Sequence, residues 1–243
     1  MSVTQPSPEH IRPARRERGL TGAVAAGFRG VVEKAASSYW YCRAFHTGRS
    51  FDFQGRRYRY LYRRYNSTWR NERAVEVPVV WDVVKEYAGR RVLEVGNVLA
   101  HYFDVTHDRV DKYERGSGVL NEDIVDFCPR ERYDLIVSIS TLEHVGWDEE
   151  PRDPDKVLRA VEALKRLAAD GGRILVTVPM AYNPEMDARL RDGRISFTRR
   201  ACLKRISQDN RWAEVEWAEV EHAAFDTPFR RINGLVFLEL GVG

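Results

Sequence analysis

The chain has 243 residues, 43% of them hydrophobic and 31% charged, which suits one sizeable globular domain with extensions. No apolar run approaches the ~18 residues of a membrane span. The amino terminus MSVTQPSPEHIRPARRERG has prolines and charges where a signal peptide needs an apolar core. Cys42, Cys128 and Cys202 are scattered and form no C-x-x-C pair. That excludes a disulfide framework or zinc knuckle and makes a reducing, cytoplasmic setting the expectation.

The net charge of +3 is uneven, because 15 of the 39 Lys and Arg but five of the 36 Asp and Glu fall in residues 1–75. Such a basic front could meet nucleic acid, an anionic surface or a phosphorylated substrate, or simply be solvated. Residues 1–19 read as an arm, and Leu20 to about Phe45 as one or two helices. In FDFQGRRYRYLYR, period-2 aromatics on both sides of Gly55 predict a β-hairpin with an aromatic face and an Arg57/Arg59/Arg63 face. A helix follows, striped by Val80, Val83, Val84 and Tyr87 and ended by Gly89.

Strands and helices then alternate. RVLEVG, HDRVDKYE and YDLIVSIS are strands, the last apolar on both faces. DPDKVLRAVEALKRLAAD is an amphipathic helix closed by Gly171 and Gly172. GRILVTVP is a strand, TRRACLKRIS a helix opened by Thr198, and WAEVEWAEVEHAAF and GLVFLEL two closing strands. The expected fold is α/β: a doubly wound, mostly parallel seven-stranded sheet with an antiparallel terminal strand. It spans residues 71–243, behind an N-terminal basic-aromatic extension over residues 1–70.

Ligands in such sheets sit beyond the carboxyl ends of the strands. After the first strand come Glu94, Gly96 and Asn97, and Gly96 permits a tight turn. The G-x-G-x-x-G of a dinucleotide site is missing, with Val98, Ala100 and His101 where later glycines would stand, so a pyrophosphate is poorly served. Asp111, after the second strand, can accept from both ribose hydroxyls. Asp123 can take the exocyclic amine of an adenine while Ile124 covers the ring. Ser138 and Ile139 fall along the same edge.

This ordered set resembles the class I S-adenosylmethionine-dependent methyltransferases (Rossmann-like). RVLEVG, VDKYE, NEDI, DLIVSISTLEHV and GGRILVTVP stand where the family has its successive strand motifs, over about residues 75–180. The family usually carries two or three glycines in the first loop, and here Gly96 stands alone. The resemblance implies S-adenosylmethionine as cofactor, bound by Glu94, Gly96, Asn97, Asp111, Asp123, Ile124 and Ser138. Glu94 would serve the cofactor's amino group or hold the loop.

For a hydroxyl acceptor, His144 is the candidate general base. His222 with Asp226 is a second candidate pair. Arg73, Trp147 and Tyr182 are expected to contact substrate. Relatives with a metal carry a further glutamate where this chain has Ser140, so no metal site is expected. The expected activity is methyl transfer to oxygen or nitrogen of a small-molecule or saccharide-like acceptor. The alternatives are an RNA methyltransferase gripping through the Tyr/Arg hairpin, and a non-catalytic protein that retains the fold.

Overall fold

A computed structural model describes residues 39–242. The arm over residues 1–19 and most of the helical stretch expected from Leu20 lie outside the described residues. Helix α1 spans Tyr39–Phe45. Strands β1 (Ser50–Phe53) and β2 (Arg56–Arg59) form the expected antiparallel hairpin, with Ser50 opposite Arg59. Gln54 and Gly55 turn it, both at positive φ (50° and 73°), the primed turn that matches strand twist. Its aromatics point inward: Phe51, Phe53, Tyr60 and Tyr62 are buried, and Phe53 packs 4.6 Å from the Phe237 ring. The hairpin therefore covers the same core as the sheet.

Helix α2 spans Arg73–Glu86 and buries most of its surface. Pro78 lies inside it. A proline there cannot donate to the carbonyl four residues back, and that carbonyl, Ala74 O, instead accepts from Leu61 N–H at 2.9 Å. The chain leading out of the hairpin thus compensates the break.

The sheet is built from β3 (Val92–Val95), β4 (Asp108–Val110), β5 (Val119–Leu120), β6 (Tyr133–Ile139), β7 (Ala168–Pro179), β8 (Arg199–Arg205), β9 (Trp212–Val215) and β10 (Gly234–Leu240), with α3 (Lys156–Leu167) and α4 (Pro184–Arg191) flanking β7 in sequence. The order is β5-β4-β3-β6-β7-β10-β8-β9. Strands β3 to β7 pair in parallel, while β10 runs antiparallel to both β7 and β8. This is the expected doubly wound sheet with its antiparallel end, carrying eight strands. Two of the eight lie outside the six segments expected as strands: the short β5, and β8, in the segment TRRACLKRIS expected to be helical. Two-sided pairing with β10 and β9 outweighs its local preference.

Alternation along the strands divides the core. Leu93, Val95, Ile136, Ile174 and Val176 face one cluster with α3, and Val92, Leu135, Val137, Ile139 and Leu175 face another with α2 and the hairpin. The carboxyl ends of β3 to β6 are left open toward one side, and the loops that follow them carry the expected site residues.

Candidate functional site

A cavity of about 500 Å³ lies at those strand ends, within the range of small-molecule sites. Val95, Gly96 and Asn97 come from the end of β3, Asp111 from the residue after β4, and Asp123 and Ile124 from the loop after β5. Ser140, Thr141 and His144 follow β6, and Arg73 enters from the first turn of α2. Of the expected cofactor residues, Gly96, Asn97, Asp111, Asp123 and Ile124 share this one cavity, together with Arg73 and His144.

Gly96 has φ +93°, and a Cβ built on it would stand 2.5 Å from Thr141 Oγ1. One glycine thus lets the β3 loop pass against the β6 loop. Asn97 ties the β3 loop to the β4 loop, since its Nδ2 donates to Glu114 Oε1 at 2.6 Å and its Oδ1 accepts from Arg109. Asp111 Oδ1 accepts the backbone N–H groups of Tyr113 and Glu114 at 2.8 and 2.7 Å. Asp123 Oδ2 meets Lys156 Nζ at 2.5 Å and Lys112 Nζ at 3.0 Å. Burial opposes ionisation of Asp123, but these ammonium groups outweigh it and hold the carboxyl below its usual range. Glu149 completes the cluster by pairing with both lysines.

Two of the expected cofactor residues lie outside the cavity lining. Glu94 does not line the cavity. It is wholly buried, and its Oε1 accepts Val98 and Leu99 N–H at 2.7 and 2.8 Å while Oε2 lies 3.0 Å from His107 Nε2. Through these bonds Glu94 holds the loop that follows β3. Ser138 is also wholly buried, with no partner for its hydroxyl. It pairs with Val95 and Val176 inside the sheet, so the residue reaching the cavity is Ser140, two places on.

The opposite side is built from the loops after β6 and β7. His144 Nδ1 lies 2.5 Å from Asp148 Oδ2, and Tyr182 OH donates to the same oxygen at 2.8 Å. The Tyr182 ring packs edge-on against His144, centroids 4.6 Å apart. Burial opposes the Asp148 charge, but the His144 and Tyr182 hydrogen bonds hold its carboxyl low. Tyr182 supports the wall through Asp148 and does not itself line the cavity. Trp147 stacks under Arg152, 4.2 Å from guanidinium carbon to ring centroid, and is likewise outside the lining. His222 is exposed and Asp226 accepts from Arg231 N–H, both apart from the cavity.

Beneath this wall lie buried carboxyls. Arg73 pairs with Glu76 at 3.0 Å and donates to the carbonyls of Ile139 and Ser140, while Ser140 and Thr177 donate to Glu76 Oε2. Arg73 thereby fastens α2 to the end of β6. Glu143 and Glu72 each keep a buried oxygen without a hydrogen-bond partner. Burial pushes the Glu143 carboxyl well above its ordinary value.

Sequence reasoning missed Thr141, Glu114, Lys112 and Lys156, and also Tyr65, whose ring stacks 3.9 Å from His101 at the cavity. The Thr141 contact had one usable signal, its place directly beyond the β6 strand.

No family model matches the chain, and no curated protein does. Solved structures with a similar arrangement include the N-methyltransferase NodS from Bradyrhizobium japonicum WM9 with S-adenosyl-L-homocysteine, at 14% identity and TM-score 0.37, covering 70% of this chain and 91% of that one. A S-adenosylmethionine-dependent methyltransferase from Thermotoga maritima, described as a possible histamine N-methyltransferase, has 13% identity and TM-score 0.41, covering 67% and 87%. TehB from Haemophilus influenzae has 13% identity and TM-score 0.40, covering 73% and 66%. Likeness at this level leaves the site to be argued from its own residues.

Proposed function

We propose that the protein is a S-adenosylmethionine-dependent methyltransferase acting on oxygen or nitrogen of a small-molecule or saccharide-like acceptor. One observation carries this reading: Gly96, Asp111, Asp123 and Ile124, from three successive strand ends, converge on one cavity. The residues suit an adenosine. Ile124 with Val95 and Val110 offers an apolar bed for a ring. Asp111 offers a carboxylate to ribose hydroxyls. Asp123 retains lone pairs for an exocyclic amine, because a carboxylate has about four acceptor sites. The close pass of the β3 loop at Gly96 makes room that a Cβ would fill.

When bound, S-adenosylmethionine supplies an activated methyl group on a sulfonium. The chain contributes alignment, through the Glu94-held loop and the Arg73 fastening, and a base at His144.

The test is calorimetry with S-adenosylhomocysteine on the full chain and on Asp111→Ala. Loss of a charge-assisted hydrogen bond costs about 1.5–3 kcal/mol, roughly a 10- to 150-fold weaker Kd, with the fold retained. Equal affinity in both proteins would remove Asp111 from the ribose. Absence of binding to the wild type would favour the non-catalytic alternative. The RNA alternative loses appeal because the hairpin rings that would stack on bases are buried in the core.

A further inference from the structure

The geometry points to Asp148 and Tyr182 as positioning residues that present His144 Nε2 as the proton acceptor for a hydroxyl-bearing substrate, an inference that rests on the methyl-transfer reading above. A carboxylate is acceptor-only, so the 2.5 Å contact with Asp148 Oδ2 places the ring proton on Nδ1. The neutral imidazole then has its lone pair on Nε2, and His144 lines the cavity.

The arrangement is built from two loops. Trp147 and Asp148 N–H both donate to His144 O, at 3.1 and 3.0 Å, which fixes Asp148 one turn beyond the imidazole. Gly146, at φ +73°, closes the loop through Asp153 N–H to Gly146 O at 2.9 Å, and a Cβ there would stand 2.1 Å from Asp153 O. Glu149 anchors the next residue to Lys156 and Lys112. From beyond β7, Tyr182 adds its hydroxyl to the same Asp148 oxygen and its ring edge to His144.

Near Nε2 stands Glu143 Oε1, at 3.7 Å, and burial pushes that carboxyl well above its ordinary value. The Asp148 oxygen already accepts two hydrogen bonds, and the Arg73 guanidinium lines the same cavity. A hydroxyl is the acceptor that needs such a base, because its proton must leave as the oxygen is methylated. In the transfer its O–H bond breaks and an N–H bond forms at Nε2. The oxygen's electron pair goes to the methyl carbon as the C–S pair returns to sulfur. The imidazolium, steadied by Asp148, then releases its proton to water.

The experiment is long-range 1H–15N NMR on the full chain labelled with 15N-histidine and loaded with S-adenosylhomocysteine, His144→Gln assigning the signals. The expected result is that the neutral form of His144 carries its proton on Nδ1, with reversal toward Nε2–H in Asp148→Asn and a smaller loss of the Nδ1–H form in Tyr182→Phe. Ethylene glycol is expected to shift the Nε2 signal more than ethylammonium chloride does. An Nε2–H ring in the wild type, or an unchanged tautomer in Asp148→Asn, overturns the positioning role. No response to the glycol, or a larger response to ethylammonium, overturns the hydroxyl assignment. Calorimetry on the same samples reports cofactor binding separately, so failure of the methyl-transfer reading is distinguishable.

Discussion

Carboxyls on the two sides of the cavity are treated differently. On the β3–β5 side three are engaged: Glu94, behind the lining, by two backbone N–H groups and His107, Asp111 by two more N–H groups, and Asp123 by two lysines. Behind the β6–β7 loops, outside the lining, Glu143 and Asp187 each keep a buried oxygen without a hydrogen-bond partner. A buried polar group left without a partner costs stability, whereas a satisfied one rigidifies what it holds. The first wall is thus a preset mould. The second tolerates local cost in the carboxyls behind His144 and its partners.

The sharpest way to break the contrast is to unmake the satisfied wall. Glu94→Ala removes the acceptor for Val98 and Leu99 N–H and leaves His107 without its buried partner. Breaking a buried pair from one side costs about 3–5 kcal/mol. The expected outcome in urea unfolding is a loss of that size together with loss of S-adenosylhomocysteine binding. A change below ~1 kcal/mol would mean that the β3 loop holds itself.

Relieving the unsatisfied wall should work in the opposite direction. Asp187, in α4, accepts Ala181 N–H at 2.8 Å through Oδ2, while its Oδ1 is the orphan. Burial raises its carboxyl from 3.8 to about 6. The folded state therefore holds this proton more tightly than the unfolded one. Its contribution to stability is complete below about pH 4 and is lost as pH rises through about 6. A shift of this size corresponds to at most ~3 kcal/mol. Asp187→Asn keeps an oxygen for Ala181 N–H without the charge. Urea midpoints at pH 4 and pH 7 should nearly coincide with the wild type at the lower pH and exceed it at the higher. A variant less stable than the wild type at pH 7 would show that the carboxylate is stabilised there after all.

The contrast between the walls also marks how far the sequence could be read. Strands β3, β6, β7 and β10 are apolar runs that need burial on both faces, so their burial announces them. Strand β8 mixes Arg199, Arg200, Lys204 and Arg205 with Cys202 and Leu203. Its identity comes from two neighbours distant in sequence and from carbonyls that receive the buried Arg205 guanidinium. Strand-end carboxylates are legible because topology sends the chain past one edge. Which way each turns is not. Glu94 folds back into its own loop, and Ser138 falls two residues short of the opening that Ser140 reaches. Lys156 reaches Asp123 across 33 residues, a pairing that no local spacing signals.

The smallest expected effect lies on the hairpin, outside both walls. Arg57 and Arg59 are exposed, and Arg57 bonds Ser50 Oγ across the ribbon at 2.7 Å. The opposite face is already committed: Phe51 and Phe53 are buried in the α2-side core. A solvated arginine of this kind adds within about 0.5 kcal/mol to stability. Arg57→Ala with Arg59→Ala should therefore unfold with the wild type and bind S-adenosylhomocysteine equally well. Poly(U) binding at 50 and 200 mM salt decides whether the charge has another use. If the wild type binds at low salt, releases steeply on adding salt, and the double variant does neither, the ribbon is a phosphate-contacting surface. Weak binding that the double variant shares leaves the arginines as the solvated rim of a hairpin whose contribution is the aromatic face it buries.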